Sequence, residues 1–335
     1  MFKRKMGIKL LVLLLVLSFT VVGCGSTGTD KPATPPPAAE KVKLRWGTTG
    51  VGTALNTYGA AIASVVNKYS TKVQIEVYPG AGNNILVQDL VGAKSQVISG
   101  SSQTSYDAYN GTGLFQGTKF EQLRVLFPLM YGYTHLIVPE NSKIKTPADL
   151  KGKKVALTTK GSSSYEQGVL VLKGYGMTES DIKPVYLSWT EQVEALKDGD
   201  VDAVIFGTAM GSPVIVDAMT SKAMRFVPVS DEAWAKMEAL IPKGYFVRAT
   251  IPGGVYPGQK DDVLSFAVVP NWMVTKDLPD DVVTDIIKTF WEHKAEAEQI
   301  YATIKQTDAE LINKPTPIPY HPAAEKFFKG IGVMK

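Results

Sequence analysis

Apolar and polar positions along this chain switch repeatedly between period two and the helical period. Val42 to Trp46 reads as a short strand and Gly47 to Thr53 (GTTGVGT) as a polar, glycine-rich turn. Ala54 to Lys68 follows as a helix with Leu55, Ala61, Ile62 and Val65 on its apolar side. Val73 to Tyr78 alternates as a strand does and ends in Pro79-Gly80-Ala81-Gly82. The next helix carries Ile85, Leu86, Leu90 and Val91 and stops at Gly92. Gln96 to Ser99 is a short strand that runs into the turn Gly100–Gln103, and the aromatic run Tyr106–Tyr109 opens another helix.

The second half repeats this order. Lys154 to Leu157 is a strand, Gly161–Ser164 a turn, and Tyr165 to Tyr175 a helix closed by Gly176. Val185 to Leu187 is a strand, and Ser188-Trp189-Thr190-Glu191 has the spacing of a capping box, opening a helix that ends at Gly199. Val201 to Phe206 is a continuous apolar strand, as expected where helices cover both faces of a sheet. It ends in Gly207–Ser212. Leu264 to Val269 is a further apolar strand, and Asp280 to Ile300 a long amphipathic helix with Val283, Ile286, Ile287, Phe290, Trp291 and Ala297 on one side.

The expected architecture is α/β with two lobes, a hinge of two crossing segments and a ligand cleft between the lobes. The crossings are expected near Leu126–Gly132 and Tyr245–Ile251. Residues 42–128 and 249–335 would form lobe 1 and residues 129–248 lobe 2. Ligands of open α/β sheets sit beyond the carboxyl ends of the strands, so the four polar turns would line the cleft.

The start of the chain changes the picture of location. Lys3, Arg4, Lys5 and Lys9 precede an apolar run from Leu10 to Val22, shorter than the roughly 20 residues of a spanning helix. Val21-Val22-Gly23-Cys24 then resembles a bacterial lipobox, so residues 1–23 read as a lipoprotein signal and Cys24, the only cysteine, as the lipidated first residue of the mature chain. Residues 24–41 hold four prolines and no Ile, Leu, Phe or aromatic residue, a composition that reads as a disordered tether. The leader holds four basic and no acidic residues, so the formal charge of +4 becomes 4 − 4 = 0 in the mature chain. No Lys/Arg patch with interleaved aromatics is present, and no nucleic-acid partner is expected.

The later motifs are familiar. Ala249–Gly258 (ATIPGGVYPG) resembles the A-T-I-P-x-G-x-Y-P-G segment of the TAXI family, the solute-binding proteins of one branch of TRAP transporters. Ile318–Glu325 (IPYHPAAE) is similar to that family's I-P-x-H-P-G-A-E ending, and Tyr106–Thr112 (YDAYNGT) to its Y-Y-A-Y-N-G-T run. Gly47–Gly52 and Gly161–Ser164 are similar to its first glycine-rich turn and its G-S-G-T turn. The matches run in order from about Leu44 to Gly332. The resemblance implies a type II periplasmic binding protein that hands a small organic acid, glutamate among the family's ligands, to a sodium-coupled TRAP permease. The departures fall on the turns. Leu55-Asn56-Thr57 stands where the family has a tyrosine pair and proline, Ser101-Ser102-Gln103 replaces Q-S-D, and Ser163 and Ser164 replace glycine and threonine.

The candidate site follows from the turns. The hydroxyls of Thr48, Thr49, Thr53, Ser162, Ser163 and Ser164, with helix N-termini, are expected to hold the polar end of the solute. Ser102, Gln103, Thr208 and the backbone near Ala209 would complete the polar shell, with Tyr106, Tyr133 and Met210 as apolar walls. Of the arginines after the leader, Arg45, Arg124, Arg225 and Arg248, the last lies near a crossing and could reach the cleft; the ordinary role of each is an ion pair. His135 is open to a core or a cleft position, His293 reads as a solvated helix residue, and His321 as a structural hydrogen-bonder. No H-E-x-x-H, G-x-S-x-G or second cysteine is present, so neither a metal nor another cofactor is expected. Two alternatives remain. A binding lipoprotein of an ATP-driven (ABC) importer shares the fold and anchor. Gly50–Leu55 after a strand partly matches a dinucleotide fingerprint, although Leu55 replaces its third small residue.

Overall fold

A computed structural model describes residues 40–335 apart from Ala81. The expected signal segment, nearly all of the tether, and Cys24 lie outside the described residues. The first part of the chain runs β1 (Val42–Thr48), α1 (Ala54–Tyr69), β2 (Val73–Pro79), α2 (Asn83–Val91), β3 (Val97–Gly100), α3 (Ser102–Asn110) and β4 (Leu123–Pro128). It continues with β5 (Gly132–Pro139), β6 (Lys154–Leu157), α4 (Ser163–Gly174), β7 (Lys183–Tyr186), α5 (Trp189–Asp198), β8 (Ala203–Thr208), α6 (Pro213–Ser221), β9 (Met224–Phe226), α7 (Asp231–Glu238), β10 (Val247–Ile251) and β11 (Val263–Val268). The last part holds β12 (Asn271–Thr275), α8 (Asp280–Glu292), α9 (Lys294–Ile300), α10 (Ala309–Ile312) and α11 (Pro322–Gly330).

The strands form two sheets. The first has the order β2-β1-β3-β12-β4 and the second β10-β11-β5-β8-β6-β7, with β9 also on β5. The sheets repeat one plan. In each, three parallel strands (β2-β1-β3 and β7-β6-β8) meet one antiparallel strand (β12 and β5) that has just arrived from the other sheet. Parallel strands need helical crossovers, and the strand–turn–helix order of both halves supplies them. β8 is buried at all six positions, which accounts for its unbroken apolar run. α5 begins on the Ser188–Glu191 capping box and ends where Gly199 turns left-handed at φ 81°.

The return crossing differs from expectation. β10 and β11 form an antiparallel hairpin on the edge of the second sheet, and β11 pairs with β5 through Ala267–Tyr133. The second lobe therefore extends past Arg248 to Val268, and the chain returns through Val269 and Pro270 rather than through Tyr245–Ile251. The strand at 264–268 was legible, but its partner was not, because a buried apolar strand fits either sheet. The strand that re-enters lobe 1 is β12, hidden by the preceding Pro270 and by the polar Asn271 at its start. The expected long helix over 280–300 is two helices. His293 leaves the helical conformation at φ −113°, ψ 20°, and its ring stacks on Tyr69 at 3.6 Å.

The apolar stripe of α8 does what its periodicity predicts. Val283, Ile286, Ile287 and Phe290 are fully buried in the first lobe's core with Trp46, Phe127 and Trp272. Phe290 lies parallel to Phe127 with ring centroids 5.2 Å apart. Phe290→Ala removes that pair and leaves a cavity, and is expected to cost about 3–5 kcal/mol in a urea unfolding curve.

Candidate functional site

The two crossings are short and tied together. Leu129 to Tyr131 links β4 to β5, Val269 and Pro270 link β11 to β12, and the Leu129 N–H donates to the Pro270 carbonyl at 2.9 Å. The segment after α9 braces them. Gln306 Oε1 accepts from Tyr131 N–H at 2.9 Å, and Thr307 Oγ1 donates to the Leu129 carbonyl at 2.5 Å while accepting from Tyr58 Oη.

Around this hinge, turns at the carboxyl ends of the strands carry their own caps. Thr53 Oγ1 accepts from Asn56 N–H at the start of α1, Ser101 from Thr104 N–H at α3, and Ser162 from Tyr165 N–H at α4. Thr49 and Thr53 share a 2.7 Å hydroxyl contact, and Thr48, buried at the end of β1, accepts from Asn56 Nδ2 at 2.8 Å. Ser162 is also 3.0 Å from Thr158 Oγ1.

Several expected solute ligands are engaged elsewhere. Ser164 is buried, and its Oγ accepts from Gly207 N–H at 2.7 Å, tying α4 to β8. Ser102 Oγ donates to the Tyr245 carbonyl at 2.6 Å. Gln103 Oε1 accepts from Ser163 Oγ, a bond between the lobes. Tyr106 meets Tyr245 edge to face at 5.6 Å. Start of α3, start of α4 and Tyr245 thus form one interlobe contact, in which Ser102, Gln103, Tyr106 and Ser163 had been expected to face solute. Thr208 and Tyr133 are buried opposite each other in β8 and β5. Burial, together with Glu310 and Asp308, pushes the Tyr133 hydroxyl well above the usual tyrosine range, so it stays protonated. Ala209 and Met210 are half-buried in the turn after β8.

A hollow of about 400 Å³ lies at the ends of β6 and β7, lined by Thr158, Thr159, Ser162, Ser164, Leu187, Ser188, Trp189 and Thr190. It brings the N-termini of α4 and α5 together with a set of hydroxyls. Glu191 reaches back to the Ser188 N–H at 2.8 Å, while helix geometry leaves the N–H groups of the first turn without intrahelical acceptors. Trp189 is 44% exposed at the mouth and stacks on Phe206 at its rear. Of the expected residues, only Ser162 and Ser164 line this hollow. Thr158, Thr159, Leu187, Ser188, Trp189 and Thr190 were not singled out, the last three because the S-W-T-E sequence read as a helix cap alone. Its place as one more strand-end turn of the same sheet was the available signal. Two larger grooves, about 790 Å³ beside β9 and about 730 Å³ between α8 and α11, lie away from the strand ends.

The four arginines among the described residues are engaged by the protein itself. Arg45 donates to the Lys94 carbonyl and lies over Tyr78; Arg124 binds the carbonyls of Glu121 and Leu123; Arg225 binds those of Ser142 and Ile144. Arg248 pairs with Asp231 at 2.6 Å and holds the Ser265 and Val229 carbonyls, so it belongs to the second lobe rather than the cleft. His321 caps α11, accepting from Ala323 N–H, as expected for a structural role. His135 is fully buried in β5. Among the described residues no cluster of three or more His, Cys, Asp or Glu side chains is placed to hold a metal ion, and no helix is long and apolar enough to cross a membrane.

Two α/β lobes, each with capped turns at its strand ends and joined by two short crossings, have the two-lobed fold of periplasmic binding proteins. Solved structures with this architecture include a TctC solute binding protein from Polaromonas, with a TM-score of 0.55 and 14% identity over 82% of this chain and 90% of that one. Another is a periplasmic sulfonate-binding protein, SsuA from Methylobacillus flagellatus KT, assigned to a sulfonate ABC transporter, with a TM-score of 0.51 and 13% identity over 88% of each chain. The profile of the NMT1-like family matches residues 46–332, and the chain belongs to that family. Over 68 residues it is 47% identical to an Escherichia coli K12 protein assigned as an aliphatic sulfonates-binding protein; the match spans 20% of this chain and 21% of that one.

His135 makes stability depend on pH. Burial holds its native pKa down to about 3, against 6.5 for a free side chain. Between these values the unfolded chain binds a proton that the native chain does not. This residue's contribution therefore falls as pH drops below about 6.5, by roughly 1 kcal/mol per unit. His135→Leu is expected to flatten that part of the stability–pH curve from urea unfolding between about pH 4 and 6.

Proposed function

We propose that the protein is an extracytoplasmic solute-binding receptor. A small organic anion enters the gap between the lobes, is held by backbone N–H and hydroxyl donors, and passes unchanged to a membrane importer. The observation that carries this reading is the hollow at the ends of β6 and β7. Its volume of about 400 Å³ lies within the roughly 300–1,000 Å³ of small-molecule pockets. Its eight lining residues include no acidic, basic or histidine side chain. Such a lining can orient an anion through donors, while the Glu191 carboxylate behind it accepts from the Ser188 N–H and Oγ. The exposed face of Trp189 suits an apolar tail beside the anionic head.

The solute class we infer is an alkyl sulfonate. A sulfonate stays ionised and presents three acceptor oxygens, which suits a site made of donors. Sulfonates are also what the Escherichia coli and Methylobacillus relatives are named for, and the latter's assignment supports an ATP-driven importer as the partner. A second reading keeps the TRAP permease and a carboxylate such as glutamate; it is favoured by the ordered motifs from Gly47 to Glu325. In either case Cys24 would carry the lipid that holds the receptor at the membrane.

Isothermal titration separates these readings. Pentanesulfonate is expected to bind more tightly than glutamate or succinate, and Trp189→Ala to weaken it by roughly tenfold, about 1.4 kcal/mol. Binding of the carboxylates alone would favour the TRAP reading, and silence across sulfonates, carboxylates and amino acids would end the receptor reading. Cys24→Ser is expected to move the protein from the membrane fraction to the soluble extracytoplasmic fraction; a variant that stays with the membrane counts against the anchor.

A further inference from the structure

We propose that Tyr256 and the buried His135 behind it hold the turn between β8 and α6 in its place beside the cleft, as positioning residues for the solute site. The functional meaning of this proposal rests on the receptor reading above. α1, α3 and α4 are each capped by their own Ncap side chain, Thr53, Ser101 and Ser162. α6 is different: its Ncap residue, Ser212, makes no side-chain cap bond. A hydroxyl from elsewhere serves this turn. Gly211 N–H donates to Tyr256 Oη at 3.0 Å. Tyr256 comes from the loop between β10 and β11 and is only 2% exposed.

The same oxygen lies 2.9 Å from His135 Nε2. The two rings stand edge to face at 5.6 Å, and Phe226 packs 5.1 Å from Tyr256. His135 sits in β5 opposite Phe206 of β8, among aromatic neighbours, and forms no salt bridge. Burial keeps the ring neutral, so one of its nitrogens is an acceptor. Tyr256 Oη already accepts from Gly211, and its own proton is free to be donated. The consistent arrangement is Tyr256 O–H to His135 Nε2, with the imidazole proton on Nδ1, a buried nitrogen that has no hydrogen-bond partner of its own. The sheet thereby aims the Tyr256 lone pairs at the turn. Met210, half-buried immediately before Gly211, is the residue of this turn whose position the relay sets; the turn follows β8, the strand next to β6 in the sheet, and lies outside the lining of the hollow.

The test needs no solute for its first readout. In the full protein, Tyr256→Phe keeps the ring and removes only the oxygen. Amide exchange at Gly211 is expected to accelerate by roughly tenfold or more, while exchange in β5 and α4 stays as in the wild type. His135→Leu is expected to accelerate Gly211 less, and to add nothing when combined with Tyr256→Phe, because both act through one hydroxyl. Nitrogen-15 spectra of wild-type His135 should show Nδ1 protonated and Nε2 bare. Pentanesulfonate affinity should fall roughly three- to tenfold in Tyr256→Phe, the scale of one hydrogen bond. Unchanged protection of Gly211, additive effects of the two substitutions, a proton on Nε2, or an accelerated turn with unchanged pentanesulfonate affinity would each overturn the proposal. A wild type that does not bind pentanesulfonate would count against the sulfonate reading, and the exchange and tautomer results would still decide the relay.

Discussion

The arrangement depends on an exchange of strands between the two sheets. β5 completes the second sheet directly after leaving the first, and β12 completes the first directly after leaving the second. Each sheet's antiparallel member is therefore covalently continuous with the opposite lobe. The links are buried, and a buried backbone must satisfy its polar groups. Leu129 donates to Pro270, Thr307 donates to Leu129, and Gln306 receives Tyr131, so the links form a hydrogen-bonded unit rather than two loose strings. Two short, adjacent crossings of this kind are the geometry of a hinge.

The proposed site relies on neutral donors. The four arginines among the described residues are occupied by backbone carbonyls or by Asp231, and the hollow is lined by hydroxyls, Leu187 and Trp189. Fixed N–H and O–H groups gain strength when water is excluded, and they keep no permanent charge that a competing carboxylate of the protein could neutralise. Contact between the lobes at α3, Ser163 and Tyr245 is made by the same kinds of group. Ser102, Gln103 and Ser163, expected to meet solute, have their side-chain oxygens bonded to protein across the lobes.

Legibility followed the locality of the signal. The strand–turn–helix repeats, the capping box at Ser188 and the stripe of α8 are set by neighbours in sequence, and they were readable. The allegiance of β10 and β11 is set by pairing with β5, more than a hundred residues away in sequence, and no local pattern encodes it. The same holds for the site. Thr53 and Ser162 could be placed at helix starts from sequence alone, whereas the direction of Ser164 toward Gly207 depends on how α4 settles on β8. Tyr256 stood out as part of a motif, but its contact with Gly211 joins separate segments of the second lobe.

The two lobes also differ in how they can be made. The second sheet draws all its strands from one uninterrupted stretch, Gly132 to Val268, while the first needs β12, α8 and α11 from the end of the chain. During synthesis the inner lobe can close on itself as soon as β11 emerges. The outer lobe must keep β3 and β4 apart, with the place between them unfilled, until the last quarter of the protein arrives. Late assembly of this kind lengthens exposure of apolar edges, which makes the N-terminal strands the part of the molecule most dependent on protection before folding ends.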